Sequence, residues 1–292
     1  MPFIGEIAAL ATALVWAIAV TFFRQLGGIF TPLNLNLWKG IISIAGLSLT
    51  LLFMSSAMPE TNDLLWLLLS GLIGIGIGDT AFFSALNRMG ERSTLLVAET
   101  LAPVFTAMLA VVWISEVLSA TQWMAIAVIL VGVDIVLGTR KRKHKNLHFS
   151  LSALSFAALA ALCQAVGAVI GRDILTHSDI DPVTASLVRL FGGLALVVPL
   201  LIMAKQPWLP KQQLTRKTWL LLFGVTFLGT FLAMILQMFS FAHAEAAIVQ
   251  SLFASSIIFS LLIARIQGEK ITRNAIWGSL ISIVGVALIF SS

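Results

Sequence analysis

Apolar residues run along this chain in blocks of about twenty, with few polar positions inside a block and short polar stretches between blocks. A helix that crosses roughly 30 Å of hydrocarbon needs about 20 mostly apolar residues. Ten blocks meet that length: residues 4–22, 33–54, 64–86, 93–113, 121–138, 150–171, 183–204, 218–240, 245–266 and 273–291. In hydrocarbon each backbone N–H and C=O must find its partner within the segment, so the blocks are predicted to be helices. The pattern predicts an all-α membrane protein with ten transmembrane helices and no room for a soluble domain.

Composition agrees. Of 292 residues, 59% are hydrophobic and 11% charged, against about 25% charged in an ordinary globular chain. The mean hydropathy is +1.01. The isoelectric point near 9.8 suggests nucleic acid, but the placement of the basic residues argues against it. Connections near residues 24, 88–92, 140–145, 205–217 and 265–273 hold fifteen Lys and Arg, all on one side of the predicted topology. The other side, which includes both termini, holds only Arg172. Positive loops stay in the cytoplasm. Both termini are therefore expected outside the cell membrane, and the lipid bilayer, not nucleic acid, is the expected macroscopic partner. Seven of eight tryptophans fall near predicted span ends, as an interfacial belt requires, and Trp16 lies deep in helix 1. Cys163 is alone, so no intramolecular disulfide is expected, and it reads as a small buried hydrophobe. The first block lacks the basic flank and cleavage site of a signal peptide and is read as a retained helix.

The basic run "TRKRKHKN" (139–146) divides the chain into five spans and five. The reading is a first repeat over 1–138, a basic cytoplasmic linker over 139–149 and a second repeat over 150–292. Residues 109–133 align without gaps on 262–286 at an offset of 153, matching Glu116 to Glu269 and Gly132 to Gly285. At an offset of 150, Pro32 matches Pro182 and Lys39 matches Arg189. An odd number of spans per half turns the second copy upside down. Inverted repeats are a common build of secondary transporters, with the substrate site between them near the midplane.

With "LAPVFTAMLAVVWISEVLSATQWMAIAVILVGVDIVL" in the first half, "FSLLIARIQGEKITRNAIWGSLISIVGVALIF" in the second, and "GDTAFFSALNRMG" in helix 3, the chain resembles the drug/metabolite transporter superfamily, EamA type. The likeness covers nearly the whole length. It departs in helix 9, where the expected proline is Ser256. The resemblance implies transport of small metabolites, often export, with no cofactor and no covalent chemistry.

A charge at the centre of a membrane helix costs about 2.5–3.5 kcal/mol on insertion scales, so such residues usually face the bundle interior or a wet cavity. Lys39, Asp79 and Glu99 lie six or seven residues from the cytoplasmic ends of helices 2, 3 and 4, at one shared depth. They read either as a buried ion-pair cluster that fixes packing or as a substrate or proton site. Asp79 borders a stripe of small residues, Gly74, Gly78, Ala81 and Ala85, of the kind that lets helices approach closely. Pro103 removes the helical partner of the Glu99 carbonyl. That arrangement suits a cation, a proton or an amine, or is a plain kink. Arg189 lacks the acids its counterpart has, since Leu232 and Leu252 stand where Asp79 and Glu99 would be. It could take a carboxylate or phosphate, or pair with Asp173, Asp179 or Asp181. Trp16 is placed to line a cavity or pack in the core. Gln164, Gln237 and Gln250 are cavity residues or helix glue. Asp134 is expected to reach Arg140. Glu116 and Glu269 read as interfacial structure, with Ser119 and Gln122 as a capping box.

An enzyme is the weaker alternative: the histidines are scattered and no HExxH, GxSxG or P-loop is present. A channel-like facilitator is the nearer one. The expected function is a secondary transporter moving a small metabolite, an amino acid or similar amphiphile, outward by alternating access. It would work as a monomer or homodimer without cofactor or metal.

Overall fold

The computed structural model describes residues 3–54, 59–141, 151–210, 214–266 and 273–290. Most of the linker 139–149 and Glu269 lie outside them, as does the side chain of Arg140, the expected partner of Asp134. Among the described residues every regular element is helical: α1 (Ile4–Leu26), α2 (Pro32–Leu51), α3 (Thr61–Gly71), a π-helical segment (Leu72–Asp79), α4 (Thr80–Trp113) and α5 (Ala120–Lys141). Then follow α6 (Leu151–His177), α7 (Pro182–Met203), α8 (Arg216–Thr226), a second π-helical segment (Phe227–Leu232), α9 (Ala233–His243), α10 (Ala246–Phe253), α11 (Ser256–Ile266) and α12 (Arg273–Ile289). Among the described residues seven helical stretches are long and apolar enough to cross a membrane; Ala120–Ile135 and Ile276–Ile289 are apolar but shorter. The remaining expected span, α2, carries Asn34, Asn36 and Lys39 in its first half.

The order of elements recurs. Thr31 caps α2 with Pro32 in its first turn, and Asp181 caps α7 with Pro182 in the same place. Proline suits that position because the missing N–H would have had no helical partner. A π-helical segment follows an eleven-residue helix in each half, α3 and α8. Ala9, Ala13 and Ala17 on α1 and Ala157, Ala161 and Ala165 on α6 are all buried completely. Spacing by four puts each trio on one face, where small side chains allow close approach.

Contacts at the two ends of the bundle fix the directions of α1 and α6. At one end Gly27, just past α1, lies against Asn87, and Arg88 donates to Ser152 Oγ at 2.9 Å in the first turn of α6. At the other end Gly5 of α1 packs on His243 and Ala244, and Asp173 near the end of α6 accepts from Trp113 Nε1 at 3.2 Å. The two helices run in opposite directions. The tryptophans gather at these same ends: Trp38 meets Trp219 edge to face at 5.2 Å and donates to the Trp208 carbonyl, and Trp66 meets Trp113 at 5.3 Å.

The last helices of the two halves, α5 and α12, pack on each other reciprocally. Gly132 lies against Gly278 and Ser282, while Gly285 lies against Ala125 and Ile129, the same pair of positions shifted by 153. Ser282 Oγ also donates to the Ile129 carbonyl at 3.1 Å. A Cβ on Gly132 would come within 2.3 Å of Ser282 Oγ. Gly132→Ala is therefore expected to lose about 1–3 kcal/mol through overpacking. Thermal unfolding in detergent checks it, with Gly224→Ala, where the added Cβ meets nothing within 4 Å, as the control.

Two helices differ from expectation. The stretch 245–266 is not one straight helix. It breaks between α10 and α11, where Ser255 N–H donates to Leu252 O and Ile258 N–H to Ser255 O. These tighter i to i−3 bonds mark a 3₁₀ turn. The break falls in the half that has Ser256 in place of proline. In the other half α4 stays helical through Pro103, and its non-helical residue is Gly90 (φ 77, ψ 169). That conformation is open to glycine and costly for a residue with a Cβ.

Candidate functional site

The centre of the bundle holds a cavity walled by α1, α2, the first π-helical segment, α4, α6, α7, the second π-helical segment, α9 and α10. Of the sequence-predicted residues, Trp16, Lys39, Asp79, Gln164, Arg189 and Gln237 line it; Glu99 and Pro103 do not.

Asp79 ends the first π-helical segment and accepts an ion-pair hydrogen bond from Lys39 of α2. Lys39 is buried, and its ammonium also lies 5.7 Å from the Phe83 ring centre. The local fold delivers Asp79 to this point. Asn36, one turn before Lys39, donates to the Ile75 carbonyl at 2.8 Å and to Thr80 Oγ1 at 2.9 Å. One amide side chain thereby clamps the π-helical segment to α2 on both sides of the acid. Sequence reading missed Asn36. Its signal was an asparagine three residues before the lysine, on the same helix face.

The segment's glycines are used on two faces. Gly71 and Gly192 bring the backbones of α3 and α7 into contact: a Cβ on either would fall within 2.0 Å of a carbonyl oxygen across the interface. Gly76 packs on Leu196 of α7, and Gly78 on Cys163 of α6. Gly74 and Gly78 of the stripe read from the sequence both face α6, at Gly167, Cys163 and Ala160, and Ala81 and Ala85 are buried.

Arg189 of α7 is 5% exposed. Three glycines make the space for its guanidinium: a Cβ on Gly167 would lie 2.9 Å from Nη2, on Gly74 3.3 Å from Nη2, and on Gly171 3.4 Å from Nη1. Its Nη1 donates to the Met238 thioether at 3.2 Å, and its Nε has no partner. Two of the acids named as possible partners are engaged elsewhere: Asp181 accepts from Val183 and Thr184 N–H, and Asp173 accepts from Trp113.

Glu99 departs from the predicted trio. Its Oε1 accepts from Trp16 Nε1 at 3.2 Å, while Oε2 is buried without a partner. Trp16 lines the cavity and meets Phe82, another wall residue, in a tilted ring contact with centroids 5.5 Å apart. Equal depth put Lys39, Asp79 and Glu99 together in the reading. Depth does not set azimuth, and the turn at Gly90 separates the helix bearing Glu99 from the one bearing Asp79.

Gln164 donates to Gln250 Oε1 at 3.1 Å and also lines the cavity, so it is both glue and wall. At the end near the first turn of α1, Arg172 pairs with Glu116 at 3.0 Å and donates to the Phe241 carbonyl at 2.7 Å. Glu116 accepts in turn from the Ala246 N–H that opens α10. Ser119 and Gln122 exchange hydrogen bonds as a capping box. Among the described residues no three of His, Cys, Asp and Glu converge as a metal site would need. The charged residues in the cavity wall are therefore two cations and one carboxylate, in an otherwise mostly apolar chamber.

The sequence model of the EamA-like transporter family matches residues 3–138 and 151–291. A Bacillus subtilis (strain 168) protein described as the uncharacterized transporter YdfC is 24% identical over 287 residues, 94% of this chain and 87% of that one. A solved crystal structure superposes with a TM-score of 0.78 at 15% identity, covering 98% of this chain and 96% of the other; that likeness concerns the fold alone. Matched along nearly its whole length, this multi-pass integral membrane protein belongs to the EamA-like transporter family.

Proposed function

We propose that the protein is a secondary transporter that moves a small amphiphilic metabolite, an amino acid or a close relative, out of the cell by alternating access. The observation that carries this is the central cavity, where Lys39 and Arg189, equivalent positions of the two halves, meet Asp79 and the aromatic Trp16 and Phe82. Opposite charges and an apolar wall in one chamber suit a molecule with both charged ends and an apolar body.

The transport cycle rests on reading the halves as inverted repeats of five spans each, 1–138 and 150–292 joined by the basic linker, with α2, α5 and α12 counted among ten spans. Three observations support it: the family matches two separate stretches, α1 and α6 run oppositely, and α5 and α12 contact reciprocally. Two copies of opposite orientation around one site can exchange roles, opening first one side and then the other. The working unit is a monomer or a homodimer.

The reading is tested in liposomes. Preloaded unlabelled amino acid is expected to drive saturable uptake of the same labelled compound by counterflow. Flux that never saturates and shows no exchange would indicate a channel. Orientation is tested separately. The basic residues place both termini outside, so a C-terminal reporter that fluoresces only in the cytoplasm is expected to stay dark; a bright fusion would overturn the assignment.

A further inference from the structure

We propose that Arg189 is the anion-binding residue of the cavity and that its ligand is a carboxylate on the transported molecule. The proposal rests on the transporter reading and narrows it. A guanidinium carries five N–H donors. Here the group is nearly fully buried, yet the partner the structure gives it is a thioether sulfur, a weak acceptor, and Nε has none. Buried charges are otherwise paired, because an unpaired one keeps most of its desolvation cost.

Charge in the wall points the same way. Asp79 takes an ion-pair hydrogen bond from Lys39 and also attracts the Arg189 guanidinium, so two cations share one carboxylate and the wall holds a net charge of one positive. One monoanion balances that; a dianion leaves an excess. A second oxyanion donor is present: Thr230 Oγ1 is buried, has no partner and belongs to a residue of the same wall. The glycines around the guanidinium keep its planar fork open, which a bidentate carboxylate needs. Trp16, Phe82, Phe253 and Met234 complete the chamber with apolar surface for the rest of the ligand.

Three probes with one apolar body and different heads test this on purified full-length protein: phenylpropionate, phenylpropylamine and phenyl phosphate. Binding is read as a saturable rise in unfolding temperature. Phenylpropionate is expected to bind the wild type and phenylpropylamine is not. Arg189→Gln is expected to weaken phenylpropionate about tenfold or more, and Arg189→Lys to recover part of the loss, since the charge returns without the fork. Gly167→Ala, which leaves the charge and crowds Nη2, is expected to weaken it as well. Should Arg189→Gln fail to fold, Arg189→Lys and Gly167→Ala decide the matter. Equal affinity in wild type and variants would overturn the subsite and leave the transporter reading intact. Preference for phenyl phosphate would overturn the carboxylate assignment. No stabilisation by phenylpropionate would overturn the proposal outright. Arg189-dependent binding without counterflow would leave the subsite standing and remove the transporter.

Discussion

Replacing Asp79 by Asn is expected to cost about 3–5 kcal/mol of stability, because the change strands the Lys39 ammonium in a place water hardly reaches. The Lys39 side chain is 4% exposed and that of Asp79 27%. The effect should therefore be governed by the lysine, with the cavity side of Asp79 holding the loss toward the lower figure. Removing both charges at once, Lys39→Met with Asp79→Leu, is expected to recover much of it. Asn36→Ala should destabilise less but in the same direction, since it frees the Ile75 carbonyl and loosens the segment that presents the acid. Unfolding temperatures of the four proteins in one detergent supply the measurement. A double variant no more stable than Asp79→Asn alone would show that the two charges do not stabilise each other.

Arg172→Met is expected to open the cavity toward the end where Arg172 and Glu116 lie. Their ion pair joins the α4–α5 connection of the first half to α6, α9 and the start of α10 in the second. At the opposite end, where α1 finishes and α6 begins, Thr21 Oγ1 donates to Glu91 Oε1 at 3.2 Å and Arg88 donates to Ser152 Oγ at 2.9 Å. A hydrogen bond to a charged group is worth about 1.5–3 kcal/mol. Losing the Arg172 contacts should thus raise the population open at this end by about tenfold or more. The readout is the labelling rate of Ala160→Cys, a wall position, by a membrane-impermeant maleimide in a Cys163→Ala background. Glu116→Gln should act alike, and the two together should add little, because each alone breaks the same pair. An unchanged rate in folded variants would leave the pair a purely structural brace.

Much of the architecture was legible because membranes impose a simple rule. Blocks of apolar residues have to be helices, and the boundaries expected near residues 4, 150 and 183 agree with the starts of α1, α6 and α7 to within a residue. The capping box at Ser119 and Gln122 was legible for the same reason: its bonds are local. The Lys39–Asp79 pair was reached from depth alone. Depth failed for Glu99, whose azimuth depends on a glycine turn nine residues earlier, and no periodicity encodes that turn. The two π-helical segments were not legible either. They make close tertiary contacts that no local pattern encodes, as at Asn36 and at Gly229, where an added Cβ would meet Ala19. The break between α10 and α11 went the other way from the proline rule, which concerns what proline forbids and not where else a helix can give way.

The wide turns at Leu72–Asp79 and Phe227–Leu232 have a mechanical consequence. A π turn accommodates more residues per turn than an α turn, so each segment stores slack within a rigid rod. Releasing one residue of that slack into α geometry would twist the helix beyond it by about 100° and slide it by about 1.5 Å along its axis. Such a screw step would turn the Asp79 carboxylate away from Lys39. Slack of this kind sits at matching places in both halves, so either rod can shift by one residue without unfolding.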